Sequence, residues 1–201
     1  MGRKLDSGDF VERKILFVTS NKTKIAIARE VLHKYGIKVT QKSVNLEEPQ
    51  STDIDEVALR KAMQISKKIK QKFIVDDSGI YIKALKKFPG ALLKNVNQSL
   101  GDEGLLKLMS KEKDRDATFV NVLVFYDSKT KEKKIFRTII HGRIARKAVG
   151  NRKTGWAIER IFIPENSTKT IAQFNEKEWN AFWKWFKSML HYNKFGKWFT
   201  G

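Results

Sequence analysis

The sequence predicts an α/β fold built on a mixed β-sheet flanked by helices. Two observations predict it. Apolar strand-like runs alternate with helix-periodic segments through the first eighty residues. Two long alternating runs separated by a short polar turn then follow, as in an antiparallel hairpin.

The elements follow in order. "KILFVTS" (14–20) is a short apolar run closing in small polar residues, a buried strand leaving its sheet. "NKTKIAIAREVLHKYG" has helical spacing: Ile25, Ala28, Val31 and Leu32 share a face, and Gly36 is a stop signal. "IKVTQKSVNL" (37–46) reads as a second strand. "DIDEVALRKAMQISKKIKQK" (53–72) is a helix with acids in its first turn and lysines in its last, as the helix dipole favours. "FIVDDSGIYI" (73–82) reads as strand, turn, strand, and "GDEGLLKLMS" (101–110) as a short helix. "ATFVNVLVFYD" and "KKIFRTIIHGRIA" form the hairpin, "IERIFIP" a further strand, and residues 176–192 a last helix. No repeat or low-complexity linker divides the chain. The expected division is an N-terminal extension (1–13), one α/β domain (14–192) and a basic aromatic tail (193–201).

Composition narrows the function. Hydrophobic residues make up 41% and charged residues 31% of the 201, as in globular proteins. No apolar run approaches the ~18 residues that span a membrane, and the N-terminal stretch has no signal-like apolar core. The chain has no cysteine, which excludes disulfides, thiolate metal sites and cysteine nucleophiles. A cytoplasmic address and no membrane partner are expected. Lys+Arg outnumber Asp+Glu by 41 to 22, a net charge of +19 shared evenly between the two halves. Such a field attracts polyanions such as nucleotides and RNA, although a lysine-rich surface also serves solubility.

Four segments carry candidate chemistry. Asp76 and Asp77 close the apolar run "FIV" and precede Ser78-Gly79. Adjacent strand residues point to opposite faces, but a glycine-assisted turn lets both border one cleft. Carboxylates there suit Mg²⁺, which takes one or two of them plus phosphates and waters; alternatively the segment is a polar turn. Thr19-Ser20-Asn21-Lys22-Thr23-Lys24 joins the first strand to the first helix, where backbone amides and a lysine suit an anion or simply cap the helix. The glycine-rich run of a Walker loop is absent. Glu48 closes the second strand region, and "GNRKTGW" (150–156) is a basic loop before a strand. Ligands gather at such strand ends in α/β sheets.

Together and in this order, "TSNKTK", "NLEEPQ", "DDSGIYIKALKKFPG", "LGDEGLLKLM", "GRI" and "IFIPENSTKTIAQFNEKE" resemble the inosine triphosphate pyrophosphatase (Ham1-like) family of non-canonical purine NTPases, from about Lys14 to Asn180. The resemblance implies an elongated mixed sheet flanked by helices, two lobes with a central cleft, and usually a homodimer. It implies Mg²⁺-dependent hydrolysis of a nucleoside triphosphate to monophosphate and pyrophosphate. It makes Asp77 the catalytic carboxylate and a metal ligand, Glu48 a metal ligand, and Asp76 their support at the metal. Thr19, Ser20, Asn21 and Lys24 would grip phosphates, Lys24 also acting in catalysis, with Ser78 and Gly79 completing the turn around the substrate.

The base-binding half departs from the family pattern. In place of G-F-G-[YW]-D-P-I-F stands Gly155-Trp156-Ala157-Ile158-Glu159-Arg160-Ile161-Phe162. Trp156 keeps a stacking surface and Glu159 replaces an aspartate. In place of E-K-N-x-x-S-H-R, Glu178-Trp179-Asn180 leads to Trp183-Lys184-Trp185, leaving Lys184 as the candidate there to touch a nucleotide. A site built to hydrogen-bond one base rejects others strongly, so altered or relaxed base choice is expected. The alternative is a catalytically weak relative that binds RNA or a ribonucleoprotein. Residues 179–201 contain no acid and mix lysines with aromatic rings, as single-strand-binding surfaces do. Trp179, Phe182, Trp183, Phe186 and Leu190 share a core-facing stripe. Trp185, Tyr192, Trp198 and Phe199 are the expected outer surface, and a cleft plugged by Trp179, Trp183 or Trp185 would favour the binding role.

Overall fold

A computed structural model describes residues 13–151 and 158–201. Seven strands form one mixed sheet among the described residues, in the order β2-β1-β3-β5-β6-β7, with β4 on β3. The strands are β1 (Arg13–Val18), β2 (Ile37–Lys42), β3 (Lys72–Ile82), β4 (Pro89–Gly90), β5 (Asp116–Asp127), β6 (Lys133–Ile144) and β7 (Phe162–Pro164). β1 runs parallel to β2 and β3; β4 and β5 pair antiparallel with β3, and β6 and β7 continue antiparallel.

Helices cover both faces. α1 (Lys22–His33) buries Ile25, Ala28, Val31 and Leu32, the face its spacing predicts. α2 (Ile54–Lys68) covers the opposite face with Ile54, Val57, Ala58, Ala62 and Ile65. Its cap, Asp53, accepts from the backbone N–H groups of Asp55 and Glu56. α3 (Leu93–Ser99) and α4 (Gly101–Leu108) follow β4, and α5 (Glu176–Met189) and α6 (His191–Thr200) close the described chain. The alternation of β3 sets the two cores: Ile74, Ile80 and Ile82 pack on the α1 side, Phe73, Val75 and Tyr81 on the α2 side.

Three local expectations are corrected. "FIVDDSGIYI" is one unbroken strand, not strand, turn and strand. Gly79 is needed because a Cβ there would lie 2.7 Å from the Gly90 carbonyl oxygen, so β4 can approach only a bare backbone. "IERIFIP" is a strand only over its last three residues.

The expected single last helix is two, broken at Leu190, whose backbone is extended. Residues 193–200 therefore belong to a helix packed on α1, β5 and β6, not to an appended tail. Phe195 is wholly buried against Phe125 and Phe136. Tyr192 is buried too, and Trp198 packs edge-on to Phe125, so neither belongs to the expected outer surface. The broken period has a physical reason. The apolar stripe of α5 continues through Leu190, but α6 must turn its own stripe onto the β5–β6 hairpin.

Among the described residues, no helix is long and apolar enough to cross a membrane.

Candidate active site

A cavity of about 840 Å³ opens where the sheet is incomplete. β1 pairs with β3 only at Leu16–Phe73 and Phe17–Ile74, and β4 joins β3 only at Ile80 and Tyr81. Between these pairings the β3 edge faces no strand. Asp76 and Asp77 lie in that gap. They point to opposite faces, as strand neighbours must, yet both line one cavity because the space passes around the end of β1.

On the α1 side, Asp76 is wholly enclosed. Its Oδ1 lies 2.6 Å from Lys24 Nζ, which also donates to the Asp76 carbonyl oxygen at 3.0 Å. Its Oδ2 accepts from Tyr192 Oη at 2.5 Å and lies 2.9 Å from His191 Nε2. An ionised carboxylate only accepts, so His191 carries its proton on Nε2. His191 Nδ1 faces the Thr138 hydroxyl at 3.0 Å, and the same hydroxyl accepts the His191 backbone N–H at 2.6 Å. Burial alone would raise the Asp76 pKa; Lys24 and His191 outweigh it and hold the carboxyl well below its ordinary range.

On the α2 side, Lys61 bridges two acids. Its Nζ lies 2.8 Å from Asp77 Oδ1 and 2.7 Å from Glu48 Oε1. Burial would lower the lysine pKa, but the two carboxylates raise it, so it stays charged. Burial pushes the Asp77 carboxyl up, against the pull of Lys24 and Lys61. Asp77 Oδ2 is buried without a hydrogen-bond partner.

The β1–α1 link forms another wall through Thr19, Ser20, Asn21, Thr23 and Lys24. Asn21 Oδ1 caps α1, accepting from the backbone N–H groups of Thr23 and Lys24 at 2.9 and 3.1 Å. Ser78 also lines the cavity, donating to Asn121 Oδ1 at 2.6 Å. Lys94, Asn97 and Gln98 of α3 and the apolar Ile158, Phe186 and Leu190 line it as well.

Thr19, Ser20, Asn21, Lys24, Glu48, Asp76, Asp77 and Ser78 thus line one cavity. Three expected site residues lie off the cavity lining, and two more need comment. Gly79 serves the β3–β4 approach and is not on the cavity lining. Glu159 is buried, and its neighbour Ile158 takes the lining position. Lys184 is exposed on α5, outside the lining. Trp156 lies outside the described residues. Asp76, expected at the metal, has both oxygens taken by Lys24, His191 and Tyr192.

Sequence reasoning missed Lys61, Asn121, His191 and Tyr192. Lys61 carried a signal: it sits on the apolar stripe of α2 between Val57, Ala58, Ala62 and Ile65, where a solvated lysine has no reason to be. His191 and Tyr192 gave no such signal, yet together with Leu190 they line the cavity. None of Trp179, Trp183 and Trp185 lines the cavity. Trp179 and Trp183 instead stack on each other at 5.7 Å, half-buried along α5.

This geometry agrees with sequence comparison. The Ham1 family model matches residues 15–194. The chain belongs to the Ham1 family. Relatives named dITP/XTP pyrophosphatase include one from Thermococcus kodakarensis, 35% identical over 83% of this chain and 88% of that protein. Another, from Pyrococcus horikoshii, is 34% identical over 89% of this chain and 100% of that protein. A dITP/XTP pyrophosphatase structure from Mycobacterium abscessus superposes with a TM-score of 0.72 at 25% identity, covering 87% and 96% of the two chains. A HAM1 protein from Coxiella burnetii gives 0.78 at 24% identity over 94% and 98%, a likeness of fold. Membership accounts for the sheet and its flanking helices.

The metal that the family resemblance implies finds a fitting donor set. Among the described residues, no group of three or more histidine, aspartate or glutamate side chains gathers to hold an ion alone. Asp77 and Glu48 do share Lys61 Nζ, however, and the unpartnered buried Asp77 Oδ2 is an uncompensated acceptor that a cation would satisfy. Two carboxylates, completed by phosphates and waters, are an ordinary Mg²⁺ environment.

Proposed function

We propose that this chain hydrolyses nucleoside triphosphates, deoxy or ribo, to the monophosphate and pyrophosphate with Mg²⁺, its base choice altered or relaxed. One observation carries the reading: Asp77, with a free buried oxygen, shares a nucleotide-sized cavity with Lys24, Lys61 and the α1 N-terminus. Relatives named dITP/XTP pyrophosphatase support the same class.

The chain's groups divide the work. The α1 N-terminus and Lys24 bind phosphate oxygens, which favour a helix N-terminus and a positive side chain. Lys61 stabilises negative charge growing in the transition state. Asp77 orients the attacking water and takes its proton. Asp77 and Glu48 would hold Mg²⁺, which would supply charge neutralisation at the phosphate oxygens. Ser78, fixed by Asn121, borders the same space.

Changed base choice is supported by the departure from the family pattern, with Trp183-Lys184-Trp185 where S-H-R is expected, while Tyr192 at the cavity is a buried phenol bound to Asp76. A panel of NTPs and dNTPs, including dITP and XTP, tests this with pyrophosphate release as the readout. Turnover of none of them above an Asp77→Asn control would end the enzyme reading. A preference for dITP or XTP over dATP as steep as in the relatives would end the specificity reading.

The +19 charge supports a second reading, a catalytically weak or inactive relative that binds RNA or a ribonucleoprotein; the homodimer rests on the family resemblance alone. Salt-dependent RNA retention with a steep slope would support the former; sedimentation at twice the 23.3 kDa chain mass would support the latter.

A further inference from the structure

We propose that Tyr192 and His191 are positioning residues that fix Asp76 as a rigid anionic post, and that this post aims Lys24 into the cavity. The inference rests on the triphosphate reading for the role of Lys24, but its geometry stands independently.

The argument begins with Asp76. Its carboxylate is buried with a side-chain exposure of 2%, so water satisfies neither oxygen. A buried charge is tolerated only when fully paired and hydrogen-bonded. Oδ1 faces Lys24, while Oδ2 receives Tyr192 Oη and His191 Nε2 from the first turn of α6. His191 is itself held: its ring Nδ1 and its backbone N–H both meet the Thr138 hydroxyl of β6. One chain of contacts thus runs from β6 through α6 and β3 to α1.

Lys24 is the movable end of that chain. Its side chain is 23% exposed, against 2% for His191 and for Asp76. An ammonium has three N–H donors. Asp76 takes two of them, through Oδ1 and the main-chain oxygen. The third remains for an anion in the cavity. Two fixed acceptors define the direction of that third donor, which one flexible acceptor would not do. Removing a donor from Oδ2 frees the carboxylate to rotate and concentrates its charge on Lys24. Both effects weaken the grip of Lys24 on phosphate.

Metal-free binding of inorganic tripolyphosphate, followed by calorimetry, separates this role from stability alone. The proteins are wild type, Tyr192→Phe, His191→Leu, His191→Gln and Lys24→Met, each with its melting temperature. Tyr192→Phe keeps the ring and removes one donor, and is expected to weaken binding about five- to tenfold. His191→Leu should weaken it similarly, whereas His191→Gln, whose amide can donate to Oδ2, should stay within about twofold of wild type. Lys24→Met should bind weakest. Wild-type affinity in both Tyr192→Phe and His191→Leu, with only their melting temperatures lowered, overturns the inference. So does a wild type that does not bind tripolyphosphate. If Tyr192→Phe fails to fold, the His191→Leu and His191→Gln pair decides by the same criterion. Should binding follow the expected pattern while no nucleotide is hydrolysed, the positioning role stands and the catalytic reading fails.

Discussion

Lys61 Nζ lies 2.8 Å from Asp77 Oδ1 and draws that carboxylate toward Glu48, 2.7 Å away on the other side. A lysine from the buried stripe of α2 therefore organises the acidic side of the cavity. Lys61→Met removes the charge that pairs Asp77 with Glu48 and that, in the proposed function, stabilises the transferred phosphate. We expect kcat/KM for the preferred triphosphate to fall about a hundredfold. Steady-state pyrophosphate release checks this, with far-ultraviolet circular dichroism to show an intact fold.

Glu48→Gln tests the metal reading. The amide keeps the shape but loses the charge, leaving Asp77 as the only carboxylate of the pair. The Mg²⁺ concentration for half-maximal activity should rise about tenfold or more, with activity recovering at high Mg²⁺. An unchanged Mg²⁺ dependence would remove Glu48 from the metal site.

Asp76 links stability to pH. Its folded pKa lies below its ordinary value near 3.9, so it stabilises the fold fully above that value. The contribution is lost as pH falls from about 4 toward the lower folded value. Asp76→Asn breaks a buried pair and should cost roughly 3 kcal/mol near neutral pH. Denaturant unfolding from pH 7 to 3 should show the variant losing less stability than wild type on the acid limb, so the curves converge.

Phe195→Ala tests whether the last helix belongs to the core. Phe195 is wholly buried and meets Phe125, Phe136, Trp198 and Phe199. The loss should be about 3–5 kcal/mol. A change under about 1 kcal/mol by urea denaturation would mean that residues 193–200 behave as an appendage.

The sequence was readable where one period dominated. α1, α2 and the β5–β6 hairpin each declare a buried face, and Ile25, Ala28, Val31 and Leu32 fall where spacing puts them. β3 was misread because Asp76-Asp77-Ser78-Gly79 has turn composition, while its reasons are tertiary: two acids facing a gap and a glycine facing Gly90. The break at Leu190 was hidden because no glycine or proline marks it, and the aromatic stripe runs straight into it. That break moves the histidine of the site from α5 to α6. The phosphate wall was legible because its residues adjoin the end of β1, and the acidic wall because Asp76-Asp77 interrupts an apolar run. Lys61 and Tyr192 were not, since only the folded sheet brings helices from both faces to one cavity.

The gap along β3 exists because β1 stops at Val18 and three residues, Thr19 to Asn21, carry the chain into α1. The cavity is thus made by a ladder left unformed, not by an inserted loop. Its width is encoded in chain length. Two added residues that extended β1 would zip onto β3 and seal the opening, while a deletion would pull the α1 N-terminus off its wall. This link, though a surface connection of the kind that usually tolerates insertions, should therefore tolerate little change in length.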